Sequence, residues 1–304
     1  MKLRLLVLLI IFLVKNTLAA DFIVTSKADS GSGTLREAIT LAAANGSAEE
    51  DYIKFNLPGS TVLDRRISLT TALPLLSSNL VIDGSTQPGE KFQASDAKIQ
   101  IVPGNSGFDA FVLLNIDGFE LYGVYITGFA NSVPRKIGFE SPTAALYIEN
   151  SKNIQIGAPG KGNVFFDNSY AISTWYTSIT DGSSLPIMGA ENLKIYSNFF
   201  GLAPDGISIG GIIRGVAPEI ALNYCKGLIE IGGADIKLRN FFGTKATFIA
   251  GQFSDPSRLF PSEFLIQNNF FGYDINGQAS RIPTLNTSGM TAITLGPGNS
   301  PSAS

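Results

Sequence analysis

One four-residue motif recurs through the second half of the sequence, and it restricts the fold more than any other feature. Asn198-Phe199-Phe200-Gly201, Asn240-Phe241-Phe242-Gly243 and Asn269-Phe270-Phe271-Gly272 are copies, and Asn163-Val164-Phe165-Phe166 is a looser one. The outer pair stays alignable through Gly206 and Gly277, at a spacing of 71 residues. Ile154-Gln155-Ile156-Gly157 recurs as Ile229-Glu230-Ile231-Gly232, at a spacing of 75. From Asp51 onward, short runs such as Tyr52–Phe55, Leu80–Ile82, Lys98–Val102, Ala110–Leu114 and Phe264–Gln267 alternate with glycine, asparagine and proline turns. Such runs are strands. With no helical segments between them, they exclude a strand–helix–strand fold and leave a sandwich, a propeller or a β-solenoid. A propeller needs larger and more uniform blades. Stacked coils explain the repeat directly: spacings of 71 and 75 divide into three coils of about 24 residues, giving roughly nine coils in all. In such a stack the asparagines form a hydrogen-bonded ladder, one or two phenylalanines per copy form a core row, and the glycine makes the next bend. The other reading of the motif is a row of ligand-binding asparagines.

The N-terminus differs from the rest. Met1-Lys2-Leu3-Arg4 is basic, Leu5 to Val14 is an unbroken apolar run, and Thr17-Leu18-Ala19-Ala20 supplies small residues. This reads as a secretory signal peptide over residues 1–20. The run is too short to span a bilayer, which takes about 20 apolar residues. No later segment is apolar enough to do so, and no cysteine follows Ala20 for lipid attachment. The expected location is therefore outside the cell or on its surface. Next, Asp21–Thr25 reads as a strand and Asp29–Gly33 as a turn. Thr34-x-x-Glu37 has capping-box spacing. Leu35, Ala38, Ile39 and Ala42 then recur at helical spacing, predicting an amphipathic helix from Thr34 to about Ala44, ended by Asn45-Gly46-Ser47.

The stretch from Phe22 to Ile39 resembles the segment that opens many secreted or surface bacterial right-handed parallel β-helix proteins. Ile53–Gly59 and Leu80–Gly89 resemble elements of their first coils, and the Asn-Phe-Phe-Gly copies are similar to their repeat consensus. The resemblance covers most of residues 21–285. It implies an all-β, right-handed parallel β-helix with an N-terminal amphipathic capping helix that shields the first coil edge. The expected organisation is a cap and first strands over 21–60, coils over 61–296, and a disordered tail or truncated linker over 297–304. Relatives often carry C-terminal sorting or adhesive parts, so the chain is expected to be an N-terminal fragment. The family transfers fold more than activity.

Composition bounds the chemistry. There is no histidine, which removes Ser–His and Cys–His nucleophile pairs, a histidine base and histidine metal ligands. The single cysteine, Cys225, excludes an intrachain disulfide and a cysteine-cluster metal site, and reads as a small buried residue. Without residues 1–20 there are 19 basic and 25 acidic residues, net −6, which disfavours nucleic acid as a partner. Aspartates are scattered singly through turns, Asp83-Gly84 among them, with no aspartate-rich doublet of the glycosidase type. No dense acidic loop supports calcium, and no cofactor or metal is expected. The candidate cations are Arg65, Arg66, Arg135, Lys136, Arg214, Lys237 and Arg239. None sits in a lyase motif, and Arg65-Arg66 and Arg135-Lys136 read as solvated turn residues.

The local anomaly is Tyr170–Asp181, which holds the only tryptophan, Trp175, beside Tyr176. It reads as an insertion loop. Trp175 and Tyr176, aided by Arg135 and Lys136, are the candidate glycan contacts. The alternative is that Trp175 packs over the coil below. The functional expectation is a scaffold, adhesin or glycan-binding module, whose partner is an extracellular polysaccharide or cell-surface glycan. The rival is a β-helical polysaccharide lyase or glycoside hydrolase with unknown catalytic residues. A cleft lined by three or more convergent Asp, Lys or Arg side chains favours the enzyme; a polar face with exposed aromatics favours binding.

Overall fold

The computed structural model describes residues 18–61, 63–104, 107–136, 139–174, 188–210, 219–243, 248–250, 262–280 and 293–295. Three parallel sheets wind into a right-handed β-helix. Sheet A has eight strands: Asp21–Val24, Asp51–Phe55, Leu80–Asp83, Asp117–Tyr122, Ser151–Ile156, Ala190–Ile195, Lys226–Gly232 and Ser262–Gln267. Sheet B has seven, from Arg66–Leu69 and Ile99–Pro103 through Val124–Thr127, Val164–Phe166 and the paired phenylalanines 199–200, 241–242 and 270–271. Sheet C has six, from Phe111–Leu114 through Ala144–Glu149, Tyr170–Thr174, Ile220–Leu222 and Phe248–Ala250 to Thr294–Leu295. Each strand pairs in parallel with the equivalent strand one coil away, and right-handed crossovers are the rule for such connections. An added antiparallel hairpin, Ser132–Lys136 with Phe139–Pro142, interrupts the coil between Val124–Thr127 and Ala144–Glu149.

Among the described residues, the six strands of sheet C mark six complete coils, fewer than the roughly nine expected. The error lies in the division of the repeat. Asn198 and Asn269 are two coils apart, with Asn240 between them. The ladder steps span 35, 42 and 29 residues. Turn insertions set those lengths, so no fixed period exists to be read. Tyr170–Thr174 is also a regular strand of sheet C, where the sequence suggested the start of an insertion.

Packing follows from side-chain alternation. Inward residues such as Ile53, Ile82, Leu121, Ile156, Ile195 and Ile231 fill a narrow core and are almost wholly buried. The third residue of each motif copy, always a phenylalanine, enters the same core. Phe165, Phe200, Phe242 and Phe271 stack at 5.2, 4.7 and 4.8 Å between ring centroids, within 13° of parallel. The first phenylalanine points to the outer face of sheet B. Phe199, Phe241 and Phe270 meet edge to face at 5.6 and 5.3 Å there. At Gly201 and Gly272 the backbone adopts φ of 67° and 74°, which a side chain disfavours.

The helix forms over Leu35–Asn45, with Thr34 as its N-cap and Gly46 at its end. Thr34 Oγ1 accepts from Glu37 N–H at 3.2 Å. The Glu37 carboxylate reaches one residue further back than a standard capping box, to Gly33 N–H at 2.5 Å. Leu35, Ala38, Ile39 and Ala42 face the core beside the first two strands of sheet A. Among the described residues, no helix is long and apolar enough to cross a membrane.

Candidate functional site

The motif asparagines form a buried ladder. Asn198 Oδ1 accepts from both Asn163 N–H and Asn163 Nδ2, at 3.0 and 2.9 Å. Asn198 Nδ2 donates to Ile156 C=O at 2.9 Å and Asn240 Oδ1 at 3.1 Å. Asn240 repeats the pattern with Asn269 at 2.9 Å. The carboxamides of Asn198 and Asn240 are wholly spent on their neighbours, so the middle of the row is structural.

Just outside this ladder, at the corner between sheets A and B, lies a groove of about 320 Å³. Turn lengths create it. The connection from Ile195 to Phe199 contains only Tyr196, Ser197 and Asn198, so the surface dips there. On the N-terminal side the long connection from Asp83 to Ile99 rises over it and contributes Ala94, Ser95 and Asp96. On the C-terminal side the connection from Gly232 to Phe241 rises and contributes Ile236, Lys237 and Arg239. Asn163, Ser197, Phe199 and Phe241 lie between the two, and Ile275 closes one side.

Both ends are held in place. Ala94 N–H and Ser95 N–H both donate to Pro204 C=O at 3.0 Å. Asp96 Oδ2 accepts from Gly162 N–H at 3.1 Å, and its other oxygen pairs with Lys91. At the opposite end, Asp235 Oδ1 caps the Ile236–Leu238 turn by accepting from Lys237 N–H at 2.9 Å. Ser197 Oγ donates to Lys237 C=O at 2.6 Å. Arg239 lies 3.9 Å over the Phe270 ring and donates Nε–H to Asn268 C=O at 2.7 Å. Lys237 is exposed and Arg239 half-buried, and neither makes a salt bridge among the described residues. The groove therefore has a net positive end and a charge-compensated end. They stand about two coils apart, about 10 Å at the usual interstrand spacing.

The other predicted residues fall elsewhere. Trp175, Tyr176 and Arg214 lie outside the described residues, as do residues 1–17 and the tail. Arg135 and Lys136 belong by their backbone to the added hairpin, and their side chains are outside the description. Arg65 is not a solvated turn residue. It is 3 % exposed, stacks 4.9 Å from the Phe92 ring and donates to Glu90 C=O at 2.5 Å. The apolar cluster around Phe92 outside sheet B draws it in. Arg66, one residue on, is exposed on its strand and bonds Gln100 at 2.7 Å. Asp83 ends a strand, accepts from Ser85 N–H at 2.9 Å and pairs with Lys161 at 2.7 Å. No cluster of three or more acids or cysteines placed to hold a metal occurs among the described residues.

On the outer face of sheet A, Asp117 pairs with Lys152 and Glu191 with Lys226, at 3.2 and 3.0 Å. The strand registers place these four residues in one axial row of alternating sign. All four take part in exposed or half-exposed pairs, which contribute little individually. Nearby, burial and then the hydrogen bond to Glu120 push the Tyr122 hydroxyl well above its ordinary range, so it stays a donor.

Cys225 is 2 % exposed, and burial pushes its thiol up to about 11. The thiolate is the reactive form. Maleimide labelling of the folded protein at pH 8 is expected to be at least about a hundredfold slower than in denaturant, because it must await opening of the coil. Labelling at equal rates in both states would show that the coil around Cys225 is open.

No protein-family model and no curated protein matches the chain. Among solved structures it is similar to the 1.7 Å crystal structure of jun a 1, the major allergen from cedar pollen. The identity is 14%, over 88% of this chain and 82% of that one, with a TM-score of 0.33. The fold assignment above rests on the strand registers.

Proposed function

We propose that this chain is an exported β-helix scaffold that binds a glycan in the groove between sheets A and B. The observation that carries the reading is the combination in one groove of phenylalanine rings, Phe199 and Phe241, with two cations, Lys237 and Arg239, that make no salt bridge among the described residues. Sugar rings present apolar C–H faces to aromatic carbons and hydroxyls to charged or amide groups at the edge. A groove of this make-up accommodates both. In a mature chain of net −6, an uncompensated cation pair also stands out as a local feature. The alternating row on sheet A offers no such concentration of one sign. The signal-like N-terminus supports export, and the rigid coil stack suits a scaffold.

The test is a glycan array with neutral and acidic polysaccharides, followed by titration of the best binder. The variant K237Q/R239Q is expected to lose about tenfold in affinity, about 1.4 kcal/mol. Binding unchanged in that variant would remove the groove as the site. Absence of binding to every polymer would remove the reading.

The lyase or hydrolase reading has one observation in its favour: Asp96, Lys237 and Arg239 line the same groove. In a lyase, Lys237 would take the proton beside a uronate carboxylate held by Arg239. Against this, Asp96 is spent on Lys91 and Gly162. Incubation with acidic polymers is expected to produce no absorbance from new double bonds; a sustained rise lost in K237Q would establish the enzyme instead.

A further inference from the structure

We infer that the leader is cut between Ala19 and Ala20, and that the α-ammonium so created is the counter-ion of a buried carboxylate, Asp51, which fastens the N-terminal cap. This inference rests on the export reading above and is independent of the glycan reading. Asp51 opens the second strand of sheet A and is 1 % exposed. Its Oδ1 accepts from Ala20 N–H at 2.9 Å and from Asn45 Nδ2 at 2.8 Å, and its Oδ2 accepts from the same Nδ2 at 3.1 Å. These donors are neutral. Asp51 makes no salt bridge among the described residues, and Lys54, on the same strand, is committed to Asp21 at 2.6 Å. Buried charges are ordinarily paired with an opposite charge. The helix Leu35–Asn45 ends at the same corner, and its last turn holds no basic residue, although the carbonyl end of a helix favours a cation. Two separate features thus ask for a positive charge where the Ala20 nitrogen lies.

Cleavage supplies that charge. Ala20 is where the chain joins the fold: its C=O accepts from Tyr52 N–H at 2.8 Å, in line with the pairing of Asp21–Val24 on the next strand. Leu18 and Ala19 are exposed, and Leu18 C=O accepts from Asn45 Nδ2 at 3.0 Å. Leader cleavage takes small residues at the first and third positions before the cut. A cut after Ala19 places Ala19 and Thr17 there, whereas a cut after Ala20 places Leu18 at the third position. The boundary is therefore one residue earlier than the sequence alone suggested. Hydrolysis of the Ala19–Ala20 bond adds one water, leaves a carboxylate on Ala19 and an amine on Ala20, and that amine is protonated at neutral pH. The neutral bond from Ala20 to Asp51 then becomes a charge-assisted one, the stronger kind. With the leader attached the charge is absent, so the cap reaches its full stability only after processing.

The test has two parts. The full sequence is expressed in a secreting bacterial host, and the intact mass of the exported protein is expected to match a chain that begins at Ala20. A chain that begins at Asp21 or elsewhere would overturn the inference and leave export intact; a chain retained inside with its leader attached would remove both. Chains with two defined N-termini, Leu18 and Ala20, are then made by cutting a fusion tag, each with and without D51N. The Ala20 chain is expected to have an unfolding equilibrium constant about tenfold smaller than the Leu18 chain, about 1.4 kcal/mol. D51N is expected to abolish that difference, and a difference that persists in D51N would overturn the pairing. Should D51N fail to fold, the α-amine itself reports. Its acylation at pH 7 is expected to be about tenfold slower in the Ala20 chain than in the Leu18 chain, because the buried carboxylate keeps it protonated. Equal stability or equal reactivity of the two chains would overturn the inference.

Discussion

Replacing Asn198 by leucine is expected to unfold the β-helix or leave it unable to withstand mild urea. The side chain is fully buried and takes part in four hydrogen bonds. Leucine is close in size but makes none of them. Asn163 N–H and one N–H of Asn163 Nδ2 would lose their partner, while Ile156 C=O keeps its bond from Tyr196 N–H. Each buried orphan costs about 1–3 kcal/mol, so the sum is roughly 2–6 kcal/mol. A whole domain commonly has only about 5–15 kcal/mol to lose. Asn198 also stands in the middle of the ladder, so its loss separates the Asn163 coil from the Asn240 coil. In stacked repeats that interface is where cooperativity resides. Urea denaturation read by far-UV circular dichroism checks the magnitude, and hydrogen exchange checks the place. The control is Asn153→Gly. Asn153 bonds Asp117 and Asn192 from an exposed position at φ 55°, a conformation glycine accepts. That variant is expected to lose about 1 kcal/mol or less. Comparable losses in the two variants would refute the importance of burial in the ladder.

The same asparagines show what the sequence could and could not disclose. Asn-Phe-Phe-Gly contains its own explanation: a polar group able to bond to copies of itself, an aromatic that stacks, and a residue that turns. Local chemistry of this kind needs no knowledge of distant residues, and the ladder, the core row and the bends all follow from it. Coil length is different. It depends on how many residues each turn loops out, and side-chain periodicity records nothing of that, so a spacing of 71 was divided by three instead of two. The groove failed to emerge for the same reason. Lys237 and Arg239 were visible as cations, but Asp96 lies some 140 positions earlier. Only the coil register brings Asp96 to Gly162 and the turn after Gly232 to Ser197. The burial of Arg65 depends on Phe92, in a connection whose path over sheet B carries no local signal. Its neighbour Arg66, whose environment is set by strand alternation alone, is exposed.

The two phenylalanines of one motif copy should separate stability from binding. Phe242 is fully buried and stacks on Phe200 at 4.7 Å and on Phe271 at 4.8 Å. Phe242→Ala removes a ring from the middle of that column. Coils above and below are fixed by backbone pairing, so they cannot close the gap and a cavity remains. The expected loss is about 3–5 kcal/mol, seen as a urea midpoint lowered by at least roughly 1 M. Phe242→Leu should recover part of it, because leucine refills volume without restoring the stack. Phe241 points the other way, is only partly buried, and lines the groove. Phe241→Ala leaves the core column untouched and still exposes Phe199 and Arg239 to a ligand. Its stability loss should be well under that of Phe242→Ala, whereas its glycan affinity should fall. Equal destabilisation by both variants would mean that the outer row is as much core as the inner one, and that the groove is too shallow to hold a sugar ring. The opposite result, with binding lost and stability kept, would assign the outer row of the repeat to recognition while the inner row holds the coils together.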